Sequence, residues 1–328
     1  KKRSTGFPKV VYIPAKSSVE VTDFPIGDMN DVYNVNQLAD TRLYFTGITE
    51  RAIRITSNQP IAAWEHIYGI NNTAGGTLLL PSKMWSTSYI VQSRGGMSNN
   101  TNPNSFFFVI ADSDSTIIEF TPSNDIVDSS TATLLKDGHT AANVLYKAGN
   151  KYSILLNKGQ VFNAMGYIAG AGQTVANAVD LSGTKIVSTN PFKKIAVFGG
   201  NGRVLINTTG CTNTTGSDNL IQQIFPKAVW GTKYLTAPTK TMETGIYRIT
   251  VDDPSTTVTI NGNTLSVNSL INQKYYELSS NQPLKIESDK RVMVTQYIVT
   301  PGCPSYISGN NGTGDPEMIN LTPLKYGI

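Results

Sequence analysis

The fold is indicated most clearly by two apolar segments on either side of a polar turn. It reads Lys185-Ile186-Val187-Ser188-Thr189-Asn190-Pro191-Phe192-Lys193-Lys194-Ile195-Ala196-Val197-Phe198. Ile186 and Val187 precede the turn, and an apolar run follows it. This pattern predicts two β-strands joined by a turn that is centred on a serine.

Hairpins of this kind are predicted at two further places in the chain. Residues Ile53 to Ile61 and Leu284 to Val294 each place alternating residues before a serine-centred turn. Long pairs of apolar strands occur at corresponding intervals, at 106–120 and 247–260. We therefore expect an all-β fold that is made of hairpin-rich units.

The spacing of these patterns divides one β-rich domain, 1–328, into three pseudo-repeats. The predicted units are approximately 50–165, 182–283, and 284–328 completed by 8–45. The third unit depends on two predicted N-terminal strands, Val10–Ile13 and Ser18–Val21. If these strands complete the third unit, the three units close into a pseudo-threefold ring and protect their sheet edges. The alternative is an open array whose next hairpin lies in further sequence.

A proline followed at fixed spacing by tryptophan and tyrosine accompanies two of the hairpins. The two occurrences are Pro81, Trp85, Tyr89 and Pro226, Trp230, Tyr234. A shorter form without tryptophan stands at Pro323 to Tyr326. Recurrence at equivalent positions favours core packing for Trp85 and Trp230. Trp64 lies outside this correspondence and is the better surface candidate.

Composition supports a fold of strands and turns. Charged residues make up only 15% of the 328 residues, whereas Thr, Asn and Ser number 37, 29 and 27. A helical bundle would need more Glu, Lys, Ala and Leu on its surface. The best helix candidates are short, at 217–223 and at Val32–Leu38. The 39% of hydrophobic residues is enough for a packed core.

Charge and hydropathy exclude two classes of partner. The net charge is +4, but the basic residues are scattered and cluster only at Lys1-Lys2-Arg3. No basic stripe is interleaved with aromatic residues, so we expect no nucleic-acid partner. No run of 18 apolar residues occurs, so we expect no membrane span.

The two cysteines, Cys211 and Cys303, each lie in a polar loop. Neither has a second cysteine at CxxC spacing, and with two histidines in the chain a zinc site is not expected. We interpret the pair as one long-range disulfide, which implies an oxidising compartment. Two unrelated free thiols are the alternative.

Several stretches, taken in order over residues 50–328, resemble the family of IgGFc-binding-protein N-terminal domains. The stretches are Ile55-Thr56-Ser57-Asn58-Gln59-Pro60-Ile61, Ala196-Val197-Phe198-Gly199-Gly200-Asn201, Asp218-Asn219-Leu220-Ile221-Gln222-Gln223-Ile224-Phe225-Pro226, Trp230-Gly231-Thr232-Lys233-Tyr234, Gln296-Tyr297 and Gly314-Asp315-Pro316-Glu317-Met318. The resemblance implies an extracellular, β-rich, non-enzymatic domain. Similar domains occur in large secreted or cell-surface proteins of Bacteroidetes-type bacteria. At Gln222 the family pattern leads us to expect an acidic residue.

Catalytic and metal-binding patterns are weak. His66 follows Glu65, but neighbours on a strand point to opposite faces, so Glu65 is not expected to orient the imidazole. Asp112 and Asp114 lie in a turn, where aspartate accepts backbone hydrogen bonds and needs no calcium. We expect no enzyme, cofactor or metal site, and a glycan-active enzyme is the least favoured function.

We expect an adhesion or ligand-binding module of a larger cell-surface or secreted protein. Its partner would be an extracellular protein or a glycan. The candidate contact residues are one exposed tryptophan and asparagines in uncharged loops: Trp64, Asn71, Asn99, Asn213 and Asn311. The alternative is a structural subunit that self-associates into a surface filament or sheath.

Overall fold

The fold is all-β, as predicted, in the part of the chain that the computed structural model describes. The described residues are 8–24, 42–43, 45–68, 73–96, 104–128, 143–168, 178–208, 211, 216–239, 242, 244–301, 303 and 314–326. The strands in these residues are β1 (Gly47–Thr49), β2 (Ala63–Tyr68), β3 (Ala74–Leu79), β4 (Ser88–Ile90), β5 (Ser105–Ala111), β6 (Thr116–Thr121), β7 (Ile126–Val127), β8 (Val144–Tyr146), β9 (Tyr152–Leu156), β10 (Val161–Met165), β11 (Lys185–Ser188), β12 (Ile195–Val204), β13 (Asp218–Gln223), β14 (Gly231–Leu235), β15 (Gly245–Val251), β16 (Val258–Ile260), β17 (Asn263–Thr264), β18 (Tyr275–Ser280), β19 (Lys285–Ile298) and β20 (Glu317–Asn320). Single 3₁₀ turns lie at Ser82–Met84, Lys227–Val229, Val267–Ser269 and Leu324–Tyr326.

The first half of the molecule is a sandwich of two sheets. One sheet has the order β1-β10-β5-β12-β13, and the other has the order β4-β11-β6-β9. Alternate residues of each strand face the space between the sheets, where Phe107 from β5 meets Phe120 from β6 with ring centroids 5.9 Å apart. Both rings are fully buried in the core that joins the two sheets.

The second half is organised around the long strand β19. The first part of β19 pairs with β14 and β16, and its second part pairs with β15 and β20. Tyr247, Ile249, Val258 and Ile286 meet in the core that these strands enclose. One continuous strand therefore joins both sets of strands in a single seven-stranded sheet.

The two halves use the same strand registers. Ile186 pairs with Tyr89 on one side and Phe120 on the other. In the second half, Ile286 pairs in the same way with Tyr234 and Ile260.

The hydrogen bonds of the tyrosines also match. Tyr89 donates from its hydroxyl to the carbonyl of Ile195 at 2.8 Å, and Tyr234 donates to the carbonyl of Val292 at 2.6 Å. These correspondences cover two units, and the prediction of three repeats in a closed ring stays a prediction.

The predicted turns have the expected local geometry. The hydroxyls of Ser57, Ser188 and Ser288 each donate to the carbonyl of the residue two positions later, at 2.7, 3.3 and 2.7 Å. Asn261 and Gly262 have φ angles of 49° and 87°, as a tight two-residue hairpin turn requires.

Three predicted elements are wrong. Val10–Ile13 and Ser18–Val21 are not strands, although the turn between them forms, with the amide of Ser17 donating to the carbonyl of Pro14 at 3.2 Å. Residues 51–62 likewise contain no strand around Ser57. The described structure places no pairing strand beside these segments, so no sheet ladder forms and Val10 is 96% exposed.

The helix predicted at 217–223 is also wrong, because Asp218–Gln223 forms strand β13. Most of its side chains are buried between neighbouring elements, and this packing overrides a weak local preference. The other helix candidate, Val32–Leu38, lies outside the described residues.

The predicted disulfide between Cys211 and Cys303 is confirmed. Cys303 is buried beside Ile206 and Met318, in a cluster that brings the two halves together.

Trp230 is also buried, as predicted, and packs with Ile90 of the first half. Trp85 is only half-buried.

A buried ion network joins the two halves. Arg248 on β15 contacts Asp180, which precedes β11, at 2.8 Å and Glu277 on β18 at 2.6 Å. Arg94, which follows β4, reaches Glu277 at 3.1 Å. Burial alone would raise the pKa of Asp180, but the charge of Arg248 and hydrogen bonds from Ser182 lower it to about 2.

Candidate functional site

An exposed row of aromatic side chains lies on the hairpin formed by β2 and β3. Trp64, His66 and Tyr68 occupy alternate positions of β2 and therefore point to the same face. Trp64 is 58% exposed and Tyr68 is 72% exposed. We call these three residues the aromatic row.

The facing strand leaves the aromatic row uncovered. Leu78, Gly76 and Ala74 are the register partners of the three aromatic residues. A side chain at Gly76 would begin only 3.0 Å from Nδ1 of His66, so glycine allows the imidazole to lie across β3. The ring centroids of His66 and Tyr68 are 6.4 Å apart, with their planes 22° from parallel.

The opposite face of the hairpin packs on the first sandwich. Ile67 and Leu79 lie against an apolar cluster that includes Phe108 and Phe198. The rings of Phe108 and Phe198 stack at 4.6 Å. The hairpin is thus buried on one side and presents its aromatic row on the other.

Side chains at the edge strand β13 hold the hairpin in place. Asp218 accepts a hydrogen bond from the amide of Ala74 at 2.8 Å, and Gln223 accepts one from the amide of Leu80 at 2.6 Å. Gln222 donates to the carbonyl of Gly76 at 3.0 Å. A carboxylate at position 222 could not donate this bond, which gives the unexpected glutamine a structural reason.

Charge is nearly absent from the hairpin. Between Ile61 and Pro81 the sequence contains Glu65 and no other charged residue. Glu65 is on the inward face, where burial raises the pKa of its carboxyl group. Glu65 and His66 therefore point to opposite faces, as the sequence predicted, and do not form an acid–base pair.

Three acidic residues meet below the hairpin, where β13 approaches β20. Burial, with added repulsion from Asp315, raises the pKa of Asp218 to about 7. Burial, together with the charges of Asp218 and Asp315, also raises the pKa of Glu317 to about 7. Protonation relieves the burial cost and the mutual repulsion of these carboxyl groups, whereas the hydrogen bond from the amide of Ala74 favours the ionised form of Asp218.

We predict that the free energy of unfolding falls between about pH 5 and pH 8, by about 1–3 kcal/mol. The folded-state pKa values of Asp218 and Glu317 lie above the unfolded values, so their contribution is complete below about pH 4 and lost as the pH rises through about 7. The lowered pKa of Asp180 acts only below this window. Urea unfolding at both pH values measures the difference.

The matched variants are Asp218→Asn and Glu119→Gln. Asparagine keeps an oxygen that can accept from Ala74, so Asp218→Asn should remove a large part of the pH dependence. Glu119 is a partly exposed carboxylate that pairs with Lys151, and its change should leave the dependence as it is in the wild type. Equal pH dependence in all three proteins would contradict the assignment.

The structure describes one of the predicted contact residues, and the contact role of all five stays a prediction. Trp64 is exposed, as predicted, whereas Asn71, Asn99, Asn213 and Asn311 lie outside the described residues. Tyr68 was missed, and His66 was weighed only as a catalytic group. Their alternation with Trp64 was the signal present in the sequence, but the residues that face them depend on the register with β3.

Within the described ranges, no three His, Cys, Asp or Glu side chains are grouped so that they could hold a metal ion. The same part of the chain contains no helix of the length and hydropathy needed to cross a membrane.

Comparison with known families identifies the chain. Residues 75–327 match the model of the family described as IgGFc binding protein. The chain belongs to this family. No curated protein and no solved structure matches the chain.

Membership in the IgGFc-binding family suggests an extracellular binding module. The disulfide is consistent with an extracellular location. The matched range begins at Gly75, so Leu78 lies inside it and the aromatic row precedes it. The family match therefore does not itself assign a role to Trp64, His66 and Tyr68.

Proposed function

We propose that this domain is a non-enzymatic adhesion module of a larger cell-surface or secreted protein, and that the aromatic row is its contact surface. The observation that carries the proposal is the exposure of Trp64 and Tyr68 on a hairpin that is anchored from below. Large aromatic side chains are favoured at binding sites because they bury much area at a low cost in conformational entropy.

A non-enzymatic role is supported by the placement of the titratable groups near the row. Glu65 faces the core and His66 faces solvent, so the most plausible acid–base pair of the sequence is separated by the strand itself. The partner in this proposal is an extracellular protein or glycan, and membership in the IgGFc-binding family supports an extracellular binding role.

The test is binding to immobilised extracellular probes. We suggest asialofetuin, ovalbumin and the Fc fragment of immunoglobulin G, measured by biolayer interferometry. The wild type should bind at least one probe, and Trp64→Ala with Tyr68→Ala should weaken that binding by about tenfold or more, or about 1.4 kcal/mol.

Leu155→Ala is the matched control, because Leu155 is also an exposed apolar residue on a strand but lies on the other sheet of the sandwich. It should bind like the wild type. The proposed function would be contradicted if the wild type binds none of the three probes, or if the row variants bind as tightly as the wild type.

The second candidate function is a structural subunit that self-associates. The exposure of Val10, Tyr12 and Ile55 in segments without strands favours it, because exposed apolar residues with strand-like alternation can pair with another chain. Size-exclusion chromatography separates the two. A stable monomer is expected for the adhesion module, and assembly into large polymers would favour the structural subunit.

A further inference from the structure

We propose that the aromatic row binds a neutral oligosaccharide, with Trp64 and Tyr68 each stacking on the face of a sugar ring. This inference rests on the proposed function and names the chemical class of the ligand at the same site. Size, charge and the chemistry of the side chains each support it.

The size of the apolar surface excludes a protein partner that relies on this surface alone. A fully covered large aromatic side chain contributes ~150–250 Å². With Trp64 58% exposed, Tyr68 72% exposed and Leu78 47% exposed, the row and its neighbour offer on the order of 400 Å². A stable protein–protein interface needs about 800 Å² from each partner. A short, narrow ligand matches the area that is present.

Charge favours a neutral ligand. The sequence from Ile61 to Pro81 has one ionisable carboxyl group, Glu65, and it faces the sandwich. The outward face of β2 and β3 thus offers no Lys, Arg, Asp or Glu to pair with an ionised ligand. A sulfated or carboxylated ligand would lose water at this surface without gaining a lysine or arginine partner on β2 or β3.

The side chains of the row match both parts of a sugar. The faces of pyranose rings carry C–H groups, which pack on aromatic faces, and the edges carry hydroxyl groups. The indole N–H, the imidazole nitrogens and the phenol hydroxyl can hydrogen-bond those hydroxyls. Alternate residues of a strand are about 6.6 Å apart, so Trp64 and Tyr68 lie about 13 Å apart along β2.

The hairpin also limits the entropy that binding would cost. Its inner residues Ile67 and Leu79 pack on the sandwich, and three side chains of β13 hold its backbone. A contact surface that is ordered before the ligand arrives loses less conformational freedom on binding.

The test is isothermal titration calorimetry of the full chain with three neutral hexasaccharides: maltohexaose, cellohexaose and N-acetylchitohexaose. At least one should bind, and Trp64→Ala and Tyr68→Ala should each raise its dissociation constant by about tenfold or more. Trp64→Phe should bind with intermediate affinity, because it keeps part of the ring face. Leu155→Ala should bind like the wild type.

Three results would overturn the inference. They are no binding of any of the three hexasaccharides, unchanged binding by Trp64→Ala and Tyr68→Ala, and tighter binding of a charged hexagalacturonate. All the changed side chains are exposed, so we expect the variants to fold like the wild type. Circular dichroism and thermal unfolding check this.

A parallel measurement separates this inference from the proposed function. The immobilised glycoproteins are compared before and after enzymatic removal of their glycans. Binding that disappears with the glycans supports both proposals. Binding that survives deglycosylation and still requires Trp64 would contradict the inference that the ligand is a glycan. It would remain consistent with the proposed adhesion module.

Discussion

Replacing Arg248 with methionine is expected to lower the free energy of unfolding by about 3–5 kcal/mol. The guanidinium is 3% exposed and contacts Asp180 at 2.8 Å, Glu277 at 2.6 Å and the hydroxyl of Ser182 at 2.7 Å. Methionine preserves much of the volume but leaves two carboxylates without their main opposite charge. Urea unfolding near neutral pH measures the loss.

Two further variants test the cause of this effect. Arg291→Met makes the same change at an exposed arginine, whose hydrogen bond to the carbonyl of Ala228 is long, at 3.4 Å, and it should cost less than about 0.5 kcal/mol. Adding Asp180→Asn and Glu277→Gln to Arg248→Met removes the uncompensated charges and should restore part of the loss. A cost below about 1 kcal/mol for Arg248→Met would contradict the role of the network.

Replacing Trp230 with alanine is expected to lower the free energy of unfolding by about 3–5 kcal/mol. The same change at Trp85 should lower it by about half as much or less. Both indoles make the same hydrogen bond, to the carbonyl five residues earlier: Trp230 to Phe225 at 3.2 Å and Trp85 to Leu80 at 3.0 Å. They differ in burial, because Trp230 is enclosed with Ile90 at the junction of the two halves. Urea unfolding of the two variants compares them directly.

Since the hydrogen bond is matched, the difference between the two variants reports burial. Trp230→Phe is a useful third variant, because it loses the hydrogen bond but keeps most of the apolar volume. It should be less destabilising than Trp230→Ala. If Trp230→Ala and Trp85→Ala lower the free energy of unfolding equally, the burial of Trp230 between the two halves does not stabilise the protein as proposed.

The features that the sequence predicted correctly are those with local causes. Each of these features lies within a short segment: the apolar residues around Ser188 and Ser288, the Asn261-Gly262 turn, and the fixed spacing from Pro226 to Tyr234. The disulfide was predictable from composition, because Cys211 and Cys303 had no other chemical use.

The errors arose where partners distant in sequence decide the outcome. Residues 217–223 are a short helix candidate in the sequence, but pairing with β12 and contacts with the β2–β3 hairpin make Asp218–Gln223 a strand. Val10–Ile13 and Ser18–Val21 alternate as strands do, yet a strand needs a neighbour to pair with. Local pattern alone does not supply that neighbour.

The two features with the largest consequences were only partly visible in the sequence. Arg248, Asp180 and Glu277 are far apart along the chain, and no spacing rule links them before the strands are assembled. The aromatic row is local, but its exposure depends on which face of β2 packs on the sandwich. Trp64 was identified as a surface candidate because it lies outside the repeated pattern. Identifying Tyr68 as exposed required the register of β2 with β3, which places it opposite Ala74.

The most direct test of the contact surface is nuclear magnetic resonance of the three indole N–H signals. The chain has three tryptophans, of which Trp64 is exposed, Trp85 is half-buried and Trp230 is buried. On addition of a glycopeptide of asialofetuin, we predict that the Trp64 signal shifts in a saturable way while those of Trp85 and Trp230 stay in place. Saturable binding that leaves the Trp64 signal unmoved would contradict the assignment of the aromatic row as the contact surface.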